Sequence, residues 1–242
     1  MRELLAPRWL AAHVVVVVVA VVFLNLGFWQ LSRLEERQLE NLVGESRYVA
    51  DPQALEELIV GAGSDLDSLQ YRRAISEGVY QPQDEVLIRS RVYRGEAGFH
   101  VITPLTHQGT AVLVNRGWIP LVLDKVPVSQ APPTSDMVVI DGWISGSQER
   151  SALGPEDPPD GRLVTMNRID IDRIQDQVEY SLAPVIINIS EDGEAGIPIA
   201  VDAPIFEEEG PHLAYAIQWF GFALIGLVGY FFLMRRTVKG SG

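Results

Sequence analysis

The stretch WLAAHVVVVVVAVVFLNLGFWQLS, residues 9–32, runs for 24 residues without a charge. A helix rises 1.5 Å per residue, and about 20 apolar residues cross a hydrocarbon core roughly 30 Å thick, so this stretch can span a membrane with some tilt. It is longer than the apolar region of a secretory signal and no small-x-small cleavage site follows, so it reads as a retained anchor. A second window matches it near the other end. Leu213 to Met234 carries no charge for 22 residues, with Glu207, Glu208 and Glu209 before it and His212 at its threshold.

Lysines and arginines beside the two windows set the expected orientation. Arg2 and Arg8 flank the first, and Arg235, Arg236 and Lys239 follow the second, which places both termini in the cytoplasm. Arg33 and Arg37 pull the other way but are accompanied by Glu35, Glu36 and Glu40. The expected organisation is a cytoplasmic tail (1–8), transmembrane helix 1 (9–32), an extracytoplasmic domain (33–211), transmembrane helix 2 (212–234) and a second cytoplasmic tail (235–242), in the cytoplasmic (inner) membrane. Residues 33–211 carry 31 acidic and 14 basic side chains, a net of −17 within a chain of −13. Such an exterior argues against nucleic acid and against charge-driven docking on anionic lipid. The chain has no cysteine, so packing alone must hold the domain; its 179 residues suffice for one core.

The first helix is expected to continue past the membrane, because Arg33, Glu36, Arg37 and Glu40 recur at the spacing of a solvated helical face. DPQALEELIVG (51–61) predicts a helix capped by Asp51, with Pro52 at its first position and Gly61 as its stop. From Tyr71 the texture is that of strands: YRRAISEGVY, EVLIRSRVY, GFHVITPL, TAVLVNRGWIP and MVVIDGWIS are β-branched or aromatic runs divided by Gly, Pro and Asp. Residues 146–161, with three prolines and three glycines, read as a surface loop, 170–178 as a short helix and 183–190 as a last strand. The fold class is then a membrane protein of α+β type. Two transmembrane helices flank an extracytoplasmic antiparallel β-barrel or sandwich with short helices.

Catalytic signatures are absent. There is no G-x-S-x-G elbow, H-E-x-x-H helix or phosphate-binding glycine loop, and the histidines at 13, 100, 107 and 212 are scattered. Without cysteine there is neither a C-x-x-C-H haem attachment nor a thiolate copper site. The reading is of a non-enzyme with no metal-ion site.

Five stretches carry a resemblance. LGFWQLSR (26–33) has the L-G-x-W-Q-x-x-R pattern at Gly27, Trp29, Gln30 and Arg33, with Arg37 at the following basic position, where lysine is commoner. GVYQPQDEVLIRSR (78–91) fits G-x-[YF]-x-P-x-x-E-x-L-x-x-R at Gly78, Tyr80, Pro82, Glu85 and Leu87, with Arg89 or Arg91 for the closing arginine. GFHVITPL (98–105) fits G-[YF]-x-V-x-T-P, VLVNRGWIP (112–120) fits V-N-R-G-W-[IV]-P, and GPHLAYAIQWFGFA (210–223) fits H-x-x-Y-x-x-[QT]-W. In this order they resemble the Surfeit-locus-one family of cytochrome c oxidase assembly proteins; residues 44–70 and 146–205 contribute little. The resemblance implies two spans around an extracytoplasmic domain and a role in assembling an aa3-type oxidase. It also implies help with haem a insertion, or stabilisation of an early intermediate of the haem-bearing catalytic subunit. A resident accessory subunit of the mature oxidase or respiratory supercomplex is the alternative.

Each candidate residue has two readings. His212, Tyr215, Trp219, Gly226 and Tyr230 fall on one helical face. The helix dipole disfavours an imidazolium at the helix start, leaving a neutral ring able to ligate haem iron, with Tyr215 and Trp219 lining the site. Equally, the aromatics form an interfacial belt and His212 finishes the helix. Gly27, Trp29, Gln30 and Arg33 either join the two spans, with Asn25 and Gln218 as further amides, or meet a partner's helix. Arg116, Gly117 and Trp118 either close the barrel core at a turn or bulge, or form a contact surface. His100 reads as a hydrogen-bonded sheet residue, and His13 as turning toward headgroups.

Overall fold

The uncharged N-terminal stretch folds as the first part of α1 (Pro7–Tyr48), and the second window as α4 (His212–Gly240). The structure, a computed structural model, describes residues 6–152, 154–189, 196–206 and 209–240. Arg2, Ser190, Glu207 and Glu208 lie outside the described residues, as does the side chain of Arg8. Both helices are long and apolar enough to cross a membrane. Most of their valines, leucines and phenylalanines are exposed, the opposite of a helix buried in a soluble core. α1 continues well past Ser32, as its charge spacing predicts, and Arg33–Glu36 (2.6 Å) and Arg37–Glu40 (3.0 Å) pair along its exposed face.

Met1–Val43 with Phe206–Gly242 form one compact unit and Gly44–Ile205 another. The second is a β-domain. Its strands are β1 (Gln53–Ala54), β2 (Arg73–Tyr80), β3 (Val86–Tyr93), β4 (Glu96–His107), β5 (Thr110–Pro120), β6 (Val138–Ser145), β7 (Thr165–Met166) and β8 (Ser181–Ile189). They pair in the order β1-β2-β6-β8-β5-β4-β3-β7, and a further pairing of β2 with β4 closes five of them into a ring. Closure rests on Val79 opposite Thr106 and Tyr80 opposite Leu105. A Cβ on Gly78 would lie 2.6 Å from the Thr106 carbonyl oxygen, so the ring closes where a side chain is missing.

The five ring strands send alternate residues into one cluster that includes Ala74, Tyr80, Leu105, Val112, Val114, Ile140, Ile144, Val185 and Ile187; this is the barrel interior. α2 (Leu55–Ala62) plugs it with Leu55 and Leu58. On the other face, Leu113 and Ile186 join Ile88, Ile102 and Met166, with Ile171 and Ile174 of α3 (Ile171–Gln175). β5 and β8 are therefore buried on both faces, which is why they read as unbroken apolar runs.

Two expectations need correction. The sheet is not wholly antiparallel, since β5–β8, β1–β2 and β3–β7 are parallel pairs. The predicted helix 51–61 starts late: Gln53 and Ala54 pair with β2, Asp51 caps nothing, and α2 ends against Gly63, which takes φ 58°, not at Gly61. Asp51-Pro52 opens an edge strand instead, because Pro favours the extended backbone before it as well as a helix start. Among the described residues of 146–161 there is no regular element, as composition predicts.

One buried ion pair ties the barrel to its neighbours. The Glu85 side chain is fully enclosed and accepts from Arg116 Nη1 (2.9 Å), Thr103 Oγ1 (3.0 Å) and the Val128 backbone N–H (2.8 Å). Arg116 also donates to the Ala131 carbonyl at 2.8 Å and lies over the Tyr80 ring at 5.6 Å. Burial raises the Tyr80 phenol to about 12, with Arg116 opposing, so the ring under the guanidinium is neutral. Removing one partner leaves an uncompensated buried charge, which costs about 3–5 kcal/mol. Glu85→Leu should lower unfolding stability by that amount, while Glu85→Leu with Arg116→Met should lose less than the single change. Denaturant titration of the detergent-solubilised chain checks this, and a loss below about 1 kcal/mol for Glu85→Leu would contradict it.

Candidate functional site

Hydrogen bonding and ring contacts converge at two places, one in each unit. In the helical unit, α1 and α4 meet through polar links at both ends and aromatic rings between. His212 Nδ1 lies 2.8 Å from Gln30 Oε1. An amide oxygen only accepts, so Nδ1 carries the hydrogen and Nε2 keeps its lone pair. A Cβ on Gly210 would sit 3.5 Å from that Nε2, so the ring stands against bare backbone on this side. Gln38 adds a bond to Glu209 at 3.0 Å. At the other end the Tyr230 hydroxyl is 2.6 Å from His13 Nδ1, and the two rings meet edge-on. His13 thus faces α4 and not the headgroups its position suggests.

Between these links, Trp219 stacks on Phe23 (5.5 Å between centroids) and Phe220 meets Phe28 edge-on (5.3 Å). A Cβ on Gly27 would come 2.5 Å from the Phe220 ring, so Gly27 is the small residue that lets the helices approach. The stripe predicted from periodicity is real, but most of it faces α1: His212, Trp219 and Tyr230 all contact that helix. Tyr215 stands apart, 47% exposed. Of the amides, Gln30 crosses between the helices, whereas Asn25 donates to the Val21 carbonyl of its own helix (2.7 Å). Trp29 is exposed, with the Arg33 guanidinium 5.9 Å from its ring centroid.

The β-domain gathers three separated motifs. Trp118 is buried against Tyr93 (5.5 Å), and its indole N–H donates to the Arg91 carbonyl (3.3 Å). A Cβ on Gly98 would lie 2.4 Å from that indole nitrogen. Gly117 has φ 119°, and a Cβ there would fall 2.0 Å from the Ile199 carbonyl oxygen. The register against β4 slips at this point, leaving Arg116 as the extra residue of a bulge. The bulge turns Arg116 toward Glu85 while Trp118 bridges Ile199 in both directions (2.6 and 2.8 Å). The core-closing reading of Arg116, Gly117 and Trp118 matches this geometry, and their side chains leave little surface for a partner.

Sequence reasoning missed a polar cluster beside that bulge. Asn115 Oδ1 accepts from the Gly117 N–H (3.2 Å), which fixes its amide; Asn115 Nδ2 then donates to Asn188 Oδ1 (2.9 Å) and faces His100 Nδ1 (3.2 Å). His100 Nδ1 must therefore accept, which puts the ring hydrogen on Nε2. His100 is a hydrogen-bonded sheet residue, as expected. An asparagine inside each of two apolar runs, Asn115 and Asn188, was the available signal.

Comparison with known sequences places these motifs. The sequence model described as the SURF1 family matches residues 17–224. An uncharacterized SURF1-like protein of Mycobacterium bovis is 31% identical over 98% of this chain and 87% of its own. SURF1-like proteins of Rickettsia felis and Monosiga brevicollis are 27% and 28% identical, each over 93% of this chain and over 97% and 88% of their own lengths.

Burial, with the charge of Arg91 adding to it, lowers His100 from its ordinary 6.5 to about 4. A depressed histidine keeps the folded state neutral while the unfolded chain takes up a proton, so stability is complete above pH 6.5 and falls as pH drops toward 4. His100→Asn should flatten this slope, by about 1 kcal/mol per pH unit in that window. Melting temperatures of both forms across it provide the check; parallel pH profiles would contradict the assignment.

Proposed function

The chain belongs to the SURF1 family, and from that membership we propose that it is a non-enzymatic assembly factor for an aa3-type cytochrome c oxidase. Its partner is the haem-bearing catalytic subunit, alone or within a respiratory supercomplex, met in the cytoplasmic membrane. The observation that supports this reading best is the use made of the family-pattern residues at the two helix ends. Gly27 and Gln30 of one pattern meet Phe220 and His212 of the other, so the paired helices form one prepared surface. Trp29, Tyr215 and the apolar flanks remain exposed for a partner's helices. Arg33 adds a cation at the border.

Haem a fits part of this site. The Gln30 contact directs the hydrogen of His212 to Nδ1 and leaves Nε2 as the nitrogen that would hold haem iron. Tyr215 is exposed one turn away, whereas Trp219 is committed to the helix pair. His212 would hold the iron and Tyr215 would flank the ring; bound haem would supply the redox-active iron the oxidase needs. Deleting the gene should lower the haem a absorbance of the membranes and their oxidase activity several-fold. His212→Ala at equal membrane abundance should reproduce that loss if the histidine holds haem, and leave both unchanged if it only joins the helices. Normal haem a and activity in the deletion, with no paralogue present, would remove the proposal. Co-purification of the chain at one copy per mature oxidase would instead make it a resident subunit.

Topology forms part of the same reading: both termini are cytoplasmic and residues 33–211 lie outside, in keeping with the flanking arginines. Single cysteines introduced as Gly154→Cys and Gly240→Cys test it in intact cells. A membrane-impermeant thiol reagent should label the first only, and labelling of the second only would reverse the orientation.

A further inference from the structure

A cavity of about 510 Å³ opens in the β-domain beside the asparagine cluster, lined in part by Arg91, His100, Trp143, Gln70 and Gln148. Its volume falls in the range of small-molecule sites. What marks it is the balance of donors and acceptors left over once internal bonds are counted.

The amide and seryl oxygens of the lining are engaged. Asn115 Oδ1 and Asn188 Oδ1 are used within their cluster, and Gln70 Oε1 takes the Gly146 N–H (3.2 Å). Gln148 Oε1 takes both Arg91 Nη2 and the Ile169 N–H, each at 3.2 Å. The Ser145 and Ser147 hydroxyl oxygens accept from Asn188 (2.9 Å) and the Ile171 N–H (3.1 Å). Donors remain. His100 carries its hydrogen on Nε2, by the tautomer argument above, and the Nε2 amides of both glutamines are unused. Arg91 makes no ion pair among the described residues. The lining's carboxylate, Asp67, is exposed and lies outside ion-pair distance of Arg91.

A guanidinium without an ion pair among the described residues, lining a space whose amide and seryl acceptors are engaged and set in a domain of strong negative charge, calls for an anion that brings its own acceptors. The rest of the wall is flat and apolar: Trp143 lies 6.1 Å from Tyr71 at a 32° tilt, with Ile169 and Val201 nearby. We propose that this cavity binds a small organic carboxylate with a flat apolar body, its carboxylate held by Arg91 and its body against the Tyr71–Trp143 wall. The site is independent of the helix pair and of any role in oxidase assembly.

Benzoate is the probe, titrated into the full-length chain in nanodiscs near neutral pH and followed by calorimetry and saturation-transfer NMR. Saturable binding is expected. Benzamide, of the same shape without the charge, should bind at least about tenfold more weakly, and Arg91→Gln should weaken benzoate by a similar factor. Trp143→Leu removes the flat ring from the wall, and should weaken benzoate several-fold. Arg150→Gln, outside the lining, should leave binding unchanged. If Arg91→Gln lowers the melting temperature, the benzamide and Trp143→Leu comparisons decide the matter. The proposal fails if benzoate does not saturate, if benzamide binds as well, or if inorganic phosphate displaces benzoate at equal concentration. The last result would leave an anion site with no preference for an organic body.

Discussion

The constraint on which the β-domain depends is the carboxylate of Glu85, enclosed where no water reaches it and answered by three donors from three other segments. A lone buried carboxylate is costly, and its cost falls only when every partner is in place. That requirement fixes several things at once. β5 must bulge so that Arg116 points the right way, β4 must present Thr103, and the segment after β5 must fold back to offer the Val128 N–H. Arg116 extends the same constraint to Ala131 and to Tyr80 at the ring closure. In a chain without disulfides, this polar knot staples the irregular stretch between β5 and β6 to the barrel.

The family-pattern residues of the β-domain look different once placed on this knot. Tyr80, Glu85, Gly98, Thr103, Arg116, Gly117 and Trp118 are scattered over three stretches of sequence, yet they supply the ion pair, its ligands, the bulge and the close approaches around it. Their recurrence as a pattern needs no partner to explain it, because each solves a packing or burial problem inside the fold. The residues at the helix ends divide differently: Gly27, Gln30 and His212 serve the pair, and Trp29 and Tyr215 are left facing outward.

Much of this was legible. Six of the eight strands fall within two residues of where periodicity and turn residues put them; both long helices and α3 lie where expected, although α4 runs on to Gly240 and α3 stops at Gln175. What escaped had physical reasons. β1 and β7 are two residues long and exist only as partners of β2 and β3, so no local pattern announces them. Asp51-Pro52 suits a helix start and an extended edge equally, and pairing with β2 decided between them. Parallel pairing of β5 and β8 could be suspected only from their two-sided apolar runs. At the site, spacing grouped His212, Trp219 and Tyr230 correctly but could not say what they face. Gln30 and His212 are 182 positions apart, and no rule of local spacing joins them.

The two polar links of the helix pair carry one more implication. Gln30 and His13 are 17 residues apart on α1, and His212 and Tyr230 are 18 apart on α4. At 1.5 Å per residue the links are separated by about 25 Å, close to the thickness of a hydrocarbon core. The pair is therefore a caliper. Set across a membrane as proposed above, its hydrogen-bonding jaws would rest near the two polar borders, and nearly everything between them is hydrocarbon and ring. A bilayer thicker than this span draws one jaw into lipid, where its hydrogen bond has no water to compete with and holds harder; a thinner one wets both. In that setting membrane thickness would become a dial on how firmly these two helices grip each other.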